Sequence, residues 1–139
     1  MRLLAIVFLP ALLAGCVSGR PIEVRSVADA GQFAAAETVT VTLANFDFTP
    51  AMLRLRAGKP YVLRIENQAS GGHDFTAPEF FAASAVLAAD APRLRQGKLE
   101  VPGGTTATVH LVPAKGSYKL VCTHFGHAAL GMSGTIEVE

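Results

Sequence analysis

Tyr118-Lys119-Leu120-Val121-Cys122-Thr123-His124-Phe125-Gly126-His127-Ala128-Ala129-Leu130-Gly131-Met132 is the stretch that decides how the rest of this chain is read. It sets a thiol, an imidazole and a thioether at Cys122, His127 and Met132, in the spacing Cys-x4-His-x4-Met. Together these donors suit copper cycling between two oxidation states, because sulfur stabilises Cu(I) while nitrogen keeps Cu(II) accessible. One more histidine completes a His2Cys set with a weak axial Met, and His73 supplies it from an upstream Gly71-Gly72-His73-Asp74-Phe75 segment. Taken singly, a buried Cys is more often inert core and a Met more often core filler. Taken together, the four supply the mixed sulfur and nitrogen set that suits copper. In the strand leading in, Tyr118, Leu120 and Cys122 share the inward phase while Lys119 and Val121 face out, so the alternation that builds a core also aims the thiol inside.

On those residues the chain resembles the cupredoxins, the small blue-copper family that includes plastocyanin and azurin. In that family the last three ligands sit on one loop between the final two strands, and the first histidine follows an earlier strand. The resemblance covers roughly residues 38 to 139. It implies one copper per chain, held by His73, Cys122, His127 and Met132. It also gives roles beside the metal to Gly72, whose carbonyl can come close because no side chain intervenes, and to Asp74. The family commonly carries Asn at that second position, where it ties the two ligand loops together. An ionised Asp accepts hydrogen bonds but cannot donate them, so Asp74 departs from the pattern. His124 has no role in the family's spacing; it is either a solvent-facing loop residue or an accessory copper contact.

Outward from the motif, the chain alternates as an all-β domain should. Val39, Val41 and Leu43 oppose Thr38, Thr40 and Thr42, and the corner from Asn45 to Pro50 is expected to bury Phe46 and Phe48. Leu53, Leu55 and Ala57 alternate with Arg54 and Arg56, Gly58 to Pro60 break the run, and Tyr61, Leu63 and Ile65 resume it. That reads as an antiparallel strand pair with a solvated arginine face. A flexible loop, Asn67 to Gly72, delivers His73. From Pro78 to Asp90 the period changes: proline at the start, alanine richness, and Phe80, Ala83, Ser84 and Leu87 on one face predict a short inserted helix, followed by a mobile loop from Ala91 to Gln96. Ala107, Val109 and Leu111 then face in, which turns His110 outward, and Ile136 and Val138 mark a final strand. About eight short strands and one helix give a Greek-key β-sandwich.

The N-terminus reads differently. Met1 to Gly15 carries one positive charge, a short apolar run and small residues, which is an export signal too short to remain as a membrane-spanning helix. Its end, Leu13-Ala14-Gly15-Cys16, resembles a bacterial lipobox and predicts a lipid-bearing Cys16. With Cys16 acylated and Cys122 wanted as a thiolate, no disulfide is expected. Residues 16 to 37 form a tether, of which Ile22 to Val27 either stays free or lies on the domain as an edge strand.

Charge is balanced, with 12 Lys plus Arg against 11 Asp plus Glu, so no nucleic-acid footprint is present in the totals. A chain of 139 residues that is 50% hydrophobic builds one core and hardly two. A monomer is expected. Two functions of different class remain open. In the first, the chain carries one electron at a time in the periplasm-facing cell envelope, and Ala128, Ala129 and Leu130 offer a small apolar patch to a transient redox partner. In the second, it sequesters or delivers copper to a copper-handling partner. Enzymatic chemistry is not expected, because protein fills all four metal positions and no acid–base pair is evident.

Overall fold

The computed structural model describes residues 23–27 and 29–139, so the signal segment 1–15 and Cys16 lie outside the described residues. In chain order the strands are β1 (Arg25–Val27), β2 (Glu37–Ala44), β3 (Asp47–Thr49), β4 (Met52–Leu55), β5 (Tyr61–Asn67), β6 (His73–Thr76), β7 (Ala85–Leu87), β8 (Lys98–Val101), β9 (Thr106–Val112), β10 (Gly116–Val121) and β11 (Ser133–Val138). Among the described residues one α-helix, α1 (Pro78–Ala83), lies between β6 and β7. The strands form two sheets, a six-stranded one in the order β1-β7-β9-β5-β2-β3 and a five-stranded one in the order β4-β11-β10-β6-β8. This is the Greek-key β-sandwich that the alternation predicts.

The inner faces follow the period-two pattern. Val41, Leu43, Phe48, Leu63, Ile65, Val109 and Leu111 from the first sheet meet Leu53, Leu55, Phe75, Leu99, Leu120 and Ile136 from the second, all of them buried. Phe48 and Phe75 clasp the two sheets edge to face at 6.2 Å, and Phe75 meets Phe81 of α1 in the same way at 5.9 Å. Such pairs add about 0.5–1.5 kcal/mol each beyond the area they bury. Cys122 and Met132 belong to this same apolar cluster, so the metal motif sits where the core reaches the end of the sandwich.

Several local expectations are corrected. β4 and β5 do not pair: β4 lies beside β11 in parallel, while β5 lies between β2 and β9, so the break at Gly58 to Pro60 carries the chain from one sheet to the other. Alternation reports which face is buried, not which strand is the neighbour. The inserted helix stops at Ala83, where Ser84 turns extended and caps the Phe80 carbonyl with its hydroxyl; Ala85–Leu87 then continue as β7 against β1 and β9. Burial of Ala85 and Val86 against sheet neighbours outweighs alanine's helical preference. Nor is the segment after it loose. Two short 3-10 turns, Ala91–Arg93 and Arg95–Gly97, hold Leu94 fully buried between them. Phe48 is buried as expected but Phe46 is not, being about two-fifths exposed.

At the other end, Arg25–Val27 pair in parallel with β7, the edge-strand alternative for Ile22 to Val27, and Phe33 is buried with its ring edge-on to His110 at 5.5 Å. His110 accordingly does not simply face water. Its ring Nδ1 and backbone N–H both lie 2.8 Å from Oδ2 of the nearly buried Asp90.

Candidate metal centre

His73 arrives on a segment that is held, not flexible. The buried Asn67 side chain donates through Nδ2 to the carbonyls of Gly71 (2.9 Å) and Val101 (2.8 Å), and its Oδ1 accepts from the Ala69 N–H (3.0 Å). Gly103 packs so closely on this segment that a Cβ there would stand 2.1 Å from the Ser70 carbonyl oxygen. His73 then enters β6, itself fixed by four cross-strand pairs to β8 from His73↔Val101 to Thr76↔Lys98.

The other donors come from the loop between β10 and β11. Its ends are clipped by the Cys122 N–H on the Met132 carbonyl (3.1 Å) and the Met132 N–H on the His127 carbonyl (3.0 Å). Two tight turns between those clips need the left-handed backbone at Gly126 (φ 80°) and Gly131 (φ 107°), which a side chain would strain. The result brings the sequence-predicted ligands together. His73 Nδ1 lies 3.1 Å from His127 Nδ1, and Cys122 Sγ lies 3.4 Å from His127 Nδ1 and 3.8 Å from His73 Nδ1. Cys122 and Met132 are fully buried, His73 nearly so, and His127 only partly.

These residues fit copper on their own chemistry. Cys122 is a free thiol, and three lone-pair atoms converge in a pocket whose fourth member is a thioether, a set too soft for calcium or magnesium. His73 turns Nδ1 into this set, and its buried Nε2 has no hydrogen-bond partner among the described residues, so the contacts of the ring with the other donors are all made through Nδ1. Protonation favours the same use. Burial, and then the neighbouring His127 and His124, hold His73 below its ordinary 6.5, so the ring stays neutral. Burial pushes the Cys122 thiol above 9.0, against the hydrogen bonds from the backbone of Asp74 and His124. Metal binding therefore has to expel the thiol proton.

Around the donors sits a polar ring that sequence reasoning largely missed. Burial alone would raise the Asp74 carboxyl, but hydrogen bonds from Thr76 and Thr123 and the Lys98 ammonium hold it below 3.8. Its oxygens accept from the Thr123 N–H at 2.9 and 3.0 Å, from the Thr123 hydroxyl at 2.7 Å and from the Thr76 hydroxyl at 2.7 Å. Lys98 Nζ stands 3.3 Å from Asp74 Oδ2 and 3.4 Å from Glu100 Oε2. The phase of β8 was a usable signal: Asp74↔Glu100 and Thr76↔Lys98 are cross-strand neighbours. His124 turns its Nε2 to Glu100 (2.7 Å), and its ring stacks on His127 at 5.4 Å, so its nitrogen is not among the three converging donors. Gly72 leaves room for that pair, since a Cβ there would lie 3.3 Å from the His124 ring.

Acid should unfold the metal-free domain in steps of known sign. For Asp74 and Asp90 the folded values lie below the unfolded 3.8, so their stabilisation is present above that value and is lost as pH falls through the lowered folded ones. For His73 the unfolded chain takes its proton first, at 6.5, so stability declines below about that pH as well. Denaturant midpoints at about pH 7, 5 and 3 should fall in that order. A midpoint that rises on acidification contradicts these assignments.

The outer surface beside His127 is apolar. Phe125 is fully exposed and Leu130 about two-thirds exposed, with Ala128 and Ala129 also open, except that His127 itself is tucked against Phe46, edge-on at 5.2 Å. Phe46 holds that position in a left-handed turn, φ 63°, unusual for so bulky a residue.

Comparison with known proteins agrees with this fold. Auracyanin B superposes with a TM-score of 0.59 at 23% identity, covering 86% of this chain and 97% of its own. Auracyanin A, described as a "blue" copper protein from the green thermophilic photosynthetic bacterium Chloroflexus aurantiacus, gives 0.53 at 20%, covering 73% and 98%. The McoA multicopper oxidase of Aquifex aeolicus gives 0.57 at 14%, but this chain spans only 30% of it. At these identities the likeness is one of fold. No curated protein sequence matches significantly. A family model does: that of the cupredoxin-like domain runs over residues 6–136, nearly the whole chain, and with the His73–Cys122–His127–Met132 pocket formed as a site for one copper, the chain belongs to the cupredoxin-like family.

Proposed function

We propose that this chain is an exported one-electron carrier with a type 1 copper site. The observation that carries this reading is the contrast within one site: Cys122, Met132 and His73 are sealed from water, while His127 alone reaches a surface lined by exposed Phe125 and Leu130. Bound copper supplies a single-electron couple, and strong thiolate donation gives it intense colour. The chain's own residues do the rest. Core packing and the loop clips hold the donors in one arrangement, so little has to reorganise between oxidation states, and burial excludes water and outside ligands. The partly exposed ring of His127 is the path to the surface. Ala128, Ala129 and Leu130 give a partner a small apolar contact, the kind that suits brief encounters below about 1,200 Å². The auracyanin A likeness points the same way.

Leu130→Lys tests the port. It adds a charge to an exposed position and disturbs no buried group. Exchange with a redox partner should slow about tenfold or more, the equivalent of about 1.4 kcal/mol, while copper and the visible spectrum are unchanged. Equal rates in variant and parent, measured by stopped flow, move the port elsewhere. Ready transfer of the bound metal to an apo-acceptor, with no reversible reduction, favours the copper-delivery reading instead.

Export and anchoring through Cys16 complete the proposal, supported by the lipobox-like Leu13 to Cys16. An unmodified N-terminus in the intact mass of the mature protein overturns the anchor.

A further inference from the structure

Asp74 and Lys98 form an ion pair that neither the core nor the metal pocket requires. A fully buried carboxylate is costly unless its acceptor sites are filled and its charge is opposed. Here both conditions are met: the Thr123 N–H, the Thr123 and Thr76 hydroxyls, and the Lys98 ammonium at 3.3 Å all face it. Its position is particular. Asp74 follows ligand His73 directly, and Thr123 follows ligand Cys122, so one carboxylate joins the two ligand-bearing segments. A neutral amide could make the same tie, with one oxygen accepting from the Thr123 N–H and its NH2 donating to hydroxyls that are free to turn. The geometry therefore does not need a charge here, and the charge must act by its field.

We propose that the Asp74–Lys98 pair sets the reduction potential of the copper site, the buried carboxylate favouring Cu(II) and the half-exposed ammonium partly cancelling it. This rests on the copper-carrier reading. In a low-dielectric interior an uncancelled unit charge beside a metal acts strongly on the oxidation state with one more positive charge. Lys98 is the weaker partner, because its side chain is 38% exposed and solvent screens it. Glu100, 3.4 Å from Lys98 and 2.7 Å from His124, divides the ammonium between two carboxylates and weakens its hold on Asp74 further. Reduction adds one electron, from the electrode in the measurement below, and makes or breaks no bond at either residue.

The test is the midpoint potential of the copper-loaded protein with Asp74→Asn, Lys98→Met and the double variant, alongside visible spectra. Asp74→Asn should favour Cu(I) about tenfold, a rise of about 59 mV. Lys98→Met should move the potential the other way by a smaller amount, about threefold in the same ratio. The double variant should lie between the parent and Asp74→Asn, because the fields of the two charges at the metal add and the larger, buried one sets the sign. Band positions should stay where the parent has them. Two shifts of the same sign, or none, overturn the proposal, since a purely structural role gives no reason for opposite signs. Should Asp74→Asn fail to fold, Lys98→Met on its more exposed side chain still reads the sign. A parent that takes copper without colour defeats the carrier reading instead, so the two failures are distinct.

Discussion

Cys122→Ser should leave a folded domain that no longer colours when Cu(II) is added. The sulfur is fully buried, 3.4 and 3.8 Å from the two imidazole nitrogens. Serine fills less of that space and its hydroxyl ionises far above any working pH, so no anionic donor remains for the charge-transfer absorption that thiolate gives to Cu(II). Loss should be complete. Copper can still bind through His73 and His127, but pale. Folding should survive at a modest cost, because the new hydroxyl has an imidazole nitrogen within reach and avoids the larger penalty, about 1–3 kcal/mol, of an unpaired buried group. Visible absorption and circular dichroism on the same sample separate the outcomes. A band that persists in a folded variant shows that another donor holds the metal.

The second large effect is on stability. Phe75→Ala removes a fully buried ring, two residues after His73, that touches Phe48 across the sandwich and Phe81 of the helix. Neither sheet can collapse into the space without breaking strand pairing, so the cavity should remain, costing about 3–5 kcal/mol and roughly 10–20 °C in melting temperature. Phe125→Ala is the matched control: its ring is fully exposed, and truncation should cost less than about 0.5 kcal/mol. A loss below about 1 kcal/mol in Phe75→Ala means that the two sheets do not meet through this ring.

Much of this was legible in the sequence because two signals coincided. Period-two alternation placed Leu120 and Cys122 on the same inward face, and the spacing to His127 and Met132 named the metal chemistry without any need for three dimensions. What failed was information that alternation does not contain. Nothing local says that β4 pairs with β11 instead of β5, because the choice is made by which sheet can cover each apolar face. Ala85–Leu87 looked helical since alanine dominates the window, and only β1 and β9, both distant in sequence, make it a strand. Phe46 looked like core because it is aromatic beside Phe48; a left-handed turn instead lifts it onto His127. Asp74 was visible as a departure from the family's Asn, but its partner Lys98 came into view only through the β6–β8 register.

The central claim is that His73, Cys122, His127 and Met132 make one type 1 copper site. Titrating Cu(II) into the purified, reduced domain tests it most directly. The expected result is an intense blue or green absorption that rises linearly and stops at one copper per chain. A folded, reduced-thiol domain that binds one copper and stays colourless would contradict the assignment.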